Sequence, residues 1–398
     1  MNVCGIVCEY NPFHTGHQYH IKQVRKKADV IICVMSGNYV QRGEPAIVRK
    51  HIRAKTAVAC GADLVIELPT PWAISSAERF ASGAIHLLTS FPELNQLSFG
   101  AEINDIELLE KTANLLESNE FSVKIKPFLN QGITFAAARE QAIFELEPEC
   151  ASVLREPNNI LAVEYIKALR ANKTISLLPV KRHKVEHDSE ETNGSFSSAS
   201  NLRNVWKNGC FDDILKYLPV SSYYFDEIKN DCAPVGISAF ERMIPAVLKH
   251  MDANDFLQYP DVNEGLHFRL KEALERTTTL SEAIDYTKTK RYTHARIRRI
   301  FLNAFLGISS DVSKQLPPYL RILAFNDIGR SFLAETKATL PIITKPAHIK
   351  NLSDFSQAVF EREVLATNLY ALGMPTPSSA YQEWNISPIY LPGKHKTV

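Results

Sequence analysis

The sequence lacks a surplus of either charge. Lys and Arg number 45 against 44 Asp and Glu, for a net charge of +1. A chain that binds any polyanion indiscriminately normally carries a basic excess, so that class is disfavoured. Long hydrophobic runs are missing too. Stretches such as Val30–Met35 fall far short of the roughly 20 apolar residues that span a bilayer. Val3–Cys8 is followed by Glu9, Tyr10 and Asn11, with no basic region before it and no small-residue cleavage site after it, so neither a secretory signal nor a membrane partner is expected. No C-x-x-C pair occurs. The seven cysteines, at 4, 8, 33, 60, 150, 210 and 232, form an odd set, which excludes a disulfide scaffold and predicts a reduced, cytoplasmic chain. Cys4 and Cys8 share one face of a strand and read as small buried hydrophobes. There is no internal repeat, no low-complexity tract and no H-E-x-x-H, so no protein metal site is expected.

What is present is the 45% hydrophobic, 22% charged balance of a chain with a sizeable core. Its first half alternates short apolar runs with helical patterns. Val3–Cys8, 29–35, 64–68 and 96–99 read as strands, with helices near 17–27, 49–62, 78–88 and 106–116. Nearly continuous apolar strands in a β-α-β-α rhythm predict an α/β fold with a parallel sheet covered on both faces. Residues 103–157 read as a helical insertion, 159–169 as an amphipathic helix, and 175–180 as the last sheet strand. The polar stretch 187–200 reads as a loop. From about 233 the pattern is mainly helical, although 320–325 and 340–344 read as strands. The expected organisation is a catalytic domain at 1–220 and a mainly helical domain at 221–398.

The strongest local signal is Glu9-Tyr10-Asn11-Pro12-Phe13-His14-Thr15-Gly16-His17 at the end of the first strand. In open parallel sheets, ligands bind outside those strand ends. Pro12 fixes the turn, and Gly16 allows close backbone approach. A helix begins here, so its unpaired N–H groups and dipole favour an anion, phosphate above all. His14 and His17, three apart, fall on one side of the first turn and suit hydrogen bonds to phosphate oxygens.

These residues resemble the signature of the HIGH-type nucleotidylyltransferase superfamily, which includes small-molecule adenylyltransferases and class I aminoacyl-tRNA synthetases. The longer string from Gly5 to His17 is similar to that of the bacterial tRNA(Met) cytidine acetate ligases. Four further segments fit that family in the same order: 36–46 with its Gln41-Arg42-Gly43-Glu44-Pro45, 99–102, 157–162, and Lys181-Arg182 with His187-Asp188. The resemblance implies a Rossmann-like domain that activates acetate with ATP as acetyl-adenylate. The acetyl group then passes to the exocyclic amine of the wobble cytidine of elongator tRNA(Met). It implies ATP contacts from Val7, Cys8, Glu9, Tyr10, Asn11, Pro12, Phe13, His14, Thr15, Gly16, His17, Gln18, Tyr19 and His20. Gly100, one or both of Asn158 and Asn159, and Arg182 with His183 complete that set. Mg²⁺ is expected with ATP, and no stable protein partner is expected.

Catalytic roles are expected for His14, His17, Arg42, Ser198 and Arg203. An Arg beside Gly43 suits a bidentate clamp on carboxylate or phosphate. Ser197-Ser198-Ala199-Ser200-Asn201-Leu202-Arg203 resembles the superfamily's second motif, with hydroxyls that cap a helix and reach phosphates. It carries Ser-Ala-Ser-Asn rather than the common Ser-Ser-Thr. Arg49, Lys50 and Arg53 read as a solvated helix face. Glu9, Glu44 and His17 remain open as the base in acetyl transfer. The segment 287–299 holds Lys288, Lys290, Arg291, Arg296, Arg298 and Arg299, with no acidic residue between Asp285 and Asp311. Interleaved Tyr292 and His294 suit RNA, and Arg296 and Arg299 are expected to face outward. Near-neutrality is therefore the sum of unlike regions. Two other readings stand beside the ligase: a small-molecule adenylyltransferase, which needs no basic helical region, and a non-catalytic RNA-binding protein, which needs no intact His14, His17 and Arg203.

Overall fold

Short runs rich in Val, Ile and Leu set the architecture. The computed structural model describes residues 1–170, 174–181, 197–263, 265–379 and 382–392. It places β1 (Val3–Cys8), β2 (Val30–Ser36), β3 (Leu64–Leu68), β4 (Leu94–Ala101) and β5 (Ser176–Lys181) parallel in one sheet. Their spatial order is β3-β2-β1-β4-β5. Every residue of β2 and β3 is buried, as a sheet covered on both faces requires. The connections include α1 (Thr15–Arg25), α2 (Lys50–Ala59), α3 (Ala77–Thr89) and α4 (Pro157–Ala168). The chain steps outward from β1 to β3, then crosses back through α3 and lays β4 on the far side of β1. That reversal opens a crevice at the carboxyl ends of β1 and β4.

The expected insertion is helical, with Ile106–Leu116, Asn119–Asn130, Phe135–Leu146 and Pro148–Val153 between β4 and α4. It has a small core of its own around Phe121, Ile125, Ala142 and Ile143. After β5, α5 (Ala199–Lys207) packs Leu202 and Trp206 against Ile47, Val48 and Tyr224. A helical lobe around Phe240, Leu270, Ile297 and Phe301 follows. It includes α6 (His294–Leu306) and meets the first half at Tyr39 and Ile74.

One expectation needs correction here. The chain beyond 221 does not stay apart from the sheet. β6 (Leu320–Phe325) pairs antiparallel with β3, while β7 (Ile342–Ile343) and β8 (Ile389–Tyr390) pair parallel with β6. Leu320, Ile322, Val359 and Phe360, the last two on α7 (Asp354–Leu372), share one buried cluster with Ile32, Ile66 and Trp72. The cause is the edge of β3, whose backbone groups need a partner and whose apolar side chains need cover. A boundary near 220 therefore separates no independent second domain.

Candidate active site

The first helix is capped by the residues that the chemistry needs. His14 is the N-cap, with extended backbone (φ −138°, ψ 173°). Its Nδ1 accepts from Gly16 N at 3.0 Å, and His17 Nδ1 accepts from His14 N at 3.2 Å. The two rings stack at 3.7 Å, 29° from parallel. An Nδ1 that accepts carries no proton, so each ring bears its proton on Nε2. Both imidazoles thus present an N–H donor while closing the helix end. Beneath them, Tyr10 packs edge-on against Phe13 and His17, both at 4.8 Å. Asn11 Oδ1 accepts from Ile47 N at 2.7 Å and ties the loop to the next segment.

A cavity of about 440 Å³ opens at the switch point between β1 and β4. Of the expected ATP-contact run, Val7, Cys8, Glu9, Tyr10, Asn11, His14, Gly16, His17, Tyr19 and His20 line it; Pro12, Phe13, Thr15 and Gln18 do not. Phe13 is core, and Gln18 turns toward Cys60 Sγ at 3.9 Å. His20 Nε2 lies 2.8 Å from Ser98 Oγ, which donates to Leu178 O. Gly100, Arg42, Ser198 and Arg203 line the cavity as expected. Arg182 and His183 lie outside the described residues.

The two asparagines separate. Asn158 lines the cavity and donates to Glu102 Oε1 at 2.5 Å. Asn159 is fully buried, and its Oδ1 accepts from Glu102 N (3.0 Å) and Ile103 N (3.1 Å). It is a brace for the turn after β4 and has no access to a ligand. Ser198 caps α5 by accepting from Asn201 N at 3.1 Å. With Leu202 and Trp206 held in the core, Arg203 is directed to the crevice, where Nη1 donates to Asn11 O at 2.8 Å. The second motif thereby grips the first.

Arg49, Lys50 and Arg53 do not form a solvated face. Arg53 is fully buried and donates to the carbonyls of Glu9 (2.5 Å), Val48 (2.9 Å), Ser36 (3.2 Å) and Gly37. It clamps the ends of β1 and β2 together. Lys50, 1% exposed, holds Glu67 and Glu383, each at 2.7 Å. Arg49 pairs with Glu227. Helical charges look solvated in sequence when their partners are distant in the chain.

The cavity mixes charges of both signs. Burial pushes the Glu9 carboxyl above its ordinary value, opposed by the Gln41 N–H and by Arg203, Arg42 and Arg53. Burial lowers the Arg203 guanidinium, opposed by Glu44 and Glu9. Lys207, one turn beyond Arg203, is lowered by burial and feels Glu44, Arg203 and Arg298. Lys207 is nonetheless exposed and does not line the cavity, so its charge reaches the site only from outside. Phe80, Ala77 and Tyr165 also line the cavity, and they carry no local mark that distinguishes them from core.

The basic segment divides. Lys288, Lys290 and Arg291 are exposed. Arg296 donates to Asp261 O (2.8 Å) and Asn263 Oδ1 (2.5 Å), and it lies over the Tyr292 ring. Arg298 pairs with Glu44, and Arg299, mostly buried, faces Asp261 at 3.7 Å. Ile297, Ile300 and Phe301 are fully buried as expected, but Arg296 and Arg299 are committed to protein partners instead of facing out. The loop around Asp261 folds back over α6 and claims them.

A parallel 3-2-1-4-5 core with a histidine-capped helix at its switch point, and a serine-capped second motif closing over it, defines a nucleotidyl-transfer site. The HIGH Nucleotidyl Transferase family matches residues 1–384, and the chain belongs to it. Within that class it is a member of the tRNA(Met) cytidine acetate ligase family. The ligase of Acetivibrio thermocellus is 36% identical over 95% of this chain and 96% of its own length. That of Caldanaerobacter subterraneus is 38% identical over 97% of each. The crystal structure of Thermotoga maritima TmcAL bound with alpha-thio ATP superposes with a TM-score of 0.91 at 31% identity, covering 99% of this chain and 100% of that one.

Proposed function

We propose that this chain is an ATP-dependent tRNA(Met) cytidine acetate ligase acting in the cytoplasm. The observation that carries the reading is the convergence of His14, His17, Ser198 and Arg203 on one cavity at the sheet's switch point. In the first step an acetate oxygen attacks the α-phosphorus of ATP. The bond from that phosphorus to the β-phosphate bridging oxygen breaks, giving acetyl-adenylate and pyrophosphate. A carboxylate is already a nucleophile, so the protein's task is to orient it and neutralise phosphate charge. The Nε2–H donors of His14 and His17 are suited to the phosphate oxygens, and Arg203 to the leaving pyrophosphate. Mg²⁺ entering with ATP would neutralise further phosphate charge. Glu44 is engaged by Arg298, and Arg42, Arg53 and Arg203 already act on Glu9, which supports an ion held chiefly by the phosphates.

In the second step the cytidine amine attacks the acetyl carbon. The new C–N bond replaces the C–O bond to AMP, AMP departs, and the amine releases a proton. We assign its acceptance to Glu9. Glu44 is held by Arg298, and His17 Nδ1 is held by the His14 N–H. Glu9 must be ionised to act, and its acidity is weakened by burial. Acetyl transfer should therefore fall with decreasing pH at a point above the ordinary carboxylate range, and Glu9→Gln should remove that limb in single-turnover assays while adenylate formation persists.

Labelled acetate, ATP and a tRNA(Met) transcript test the whole. Label on the tRNA, with acetate-dependent pyrophosphate exchange in the absence of tRNA, is expected. Absence of both overturns the reading.

A further inference from the structure

The nucleotide signature accounts for the cavity walls from β1, α1, β4, α4 and α5. One corner lies outside that signature. The hairpin Tyr39–Val40/Glu44–Pro45 and its connecting turn supply Val40, Gln41 and Arg42, while the start of α3 supplies Ala77 and Phe80. Gln41 ties the two pieces together: its N–H donates to Glu9 Oε1 at 2.7 Å, and its Nε2 donates to Ser75 O at 3.1 Å. Val40 is 3% exposed and Phe80 2%, so both are packed from behind and have no room to retreat. Arg42 is exposed and has no hydrogen bond or ion pair among the described residues. Its charge is nonetheless felt by both Glu9 and Arg203. Three guanidiniums, of Arg42, Arg53 and Arg203, act on the Glu9 carboxyl, and Glu44 is paired with Arg298, so the corner keeps a positive balance that tolerates a further carboxylate.

Resting on the reading that the enzyme activates a small carboxylic acid, we propose that this corner is the acyl subsite: Arg42 holds the carboxylate, and Val40, Ala77 and Phe80 close around a methyl group. A short acid needs a cation at one end and apolar walls at the other, and the corner supplies both. The pinned Gln41 and the buried Val40 and Phe80 make the walls rigid. A rigid apolar pocket discriminates against one extra methylene by roughly 10- to 200-fold, which is the selectivity expected for acetate over propionate.

The test is acid-dependent pyrophosphate exchange with acetate, propionate and butyrate. Val40→Ala should raise the propionate-to-acetate ratio of kcat/KM at least tenfold. Ala77→Val, at a half-buried position with space for two methyl groups on the cavity side, should raise the KM for acetate at least tenfold and leave the Kd for α,β-methylene ATP within twofold. Arg42→Ala should raise the KM for all three acids alike. Unchanged ratios and KM values in folded Val40→Ala and Ala77→Val, with wild-type acetate exchange intact, overturn the subsite alone. Wild-type exchange that ignores acetate overturns the underlying function, and the subsite with it.

Discussion

In an ordinary capping box a Ser or Thr accepts from the N3 amide while a Glu or Gln reaches back to the N-cap amide. At α1 histidines occupy both places, and each spends Nδ1 on the helix and keeps its proton on Nε2. Structure and chemistry thus divide between two atoms of one ring, which makes them separable by mutation. His17→Ala should cost about 1 kcal/mol of stability and lower acetate-dependent pyrophosphate exchange by about 10²- to 10³-fold. His17→Glu restores the cap without the donor; recovery of exchange in that variant would show that capping alone matters. The asparagine pair offers a second contrast. Asn158→Ala should raise the KM for ATP with little change in Tm. Asn159→Ala leaves two backbone N–H groups unpaired, and thermal melts should show a loss of about 1–3 kcal/mol. Both histidines were legible in the sequence because position after a strand and spacing of three are local facts. The choice between Asn158 and Asn159 was not, since it depends on where the Glu102–Ile103 turn lies in space.

At the scale of elements, the hairpin after β2 matters most. Gly43 adopts φ +75°, and a Cβ there would lie 2.9 Å from the Arg299 backbone nitrogen. The hairpin therefore touches α6 backbone to backbone, and the Glu44–Arg298 pair seals the contact. The basic segment was legible as a run of charge. Its division was not, because only the fold reveals that Asp261, Asn263 and Glu44 occupy three of its arginines. RNA contact is accordingly expected from the exposed Lys288, Lys290 and Arg291. Replacing all three with alanine should weaken tRNA binding and reduce the slope of log K against log salt by about 2–3, with ATP affinity unchanged. An unaltered slope would place the tRNA elsewhere.

At the scale of the whole molecule, the β-α alternation was legible because strand burial on both faces writes itself as continuous apolar runs. The runs at 320–325 and 340–344 were legible as strands too, the second shortened to Ile342–Ile343 in the structure, but their membership in the first sheet was not. Pairing of Leu64 with Phe325 leaves no trace in any short window. The same holds for Lys50, whose carboxylate Glu383 arrives from the far end of the chain. Removing one partner of such a buried pair costs about 3–5 kcal/mol, so Glu383→Gln should melt well below wild type at neutral pH. Burial works against ionisation of Glu383, yet Lys50, Arg321 and His51 hold its carboxyl down to about 2, from 4.5. That contribution is present above pH 4.5 and fades as pH falls toward 2, so the gap in Tm between variant and wild type should narrow on acidification.

The late return of β6 and Glu383 to the first sheet bears on how the protein is made. A nascent chain leaves the ribosome with the edge of β3 bare and Lys50 facing Glu67 without its second carboxylate. Neither defect is repaired until nearly all of the sequence has emerged. A chain cut short before Leu320 would therefore leave the apolar edge of β3 open to proteases and to pairing with other chains.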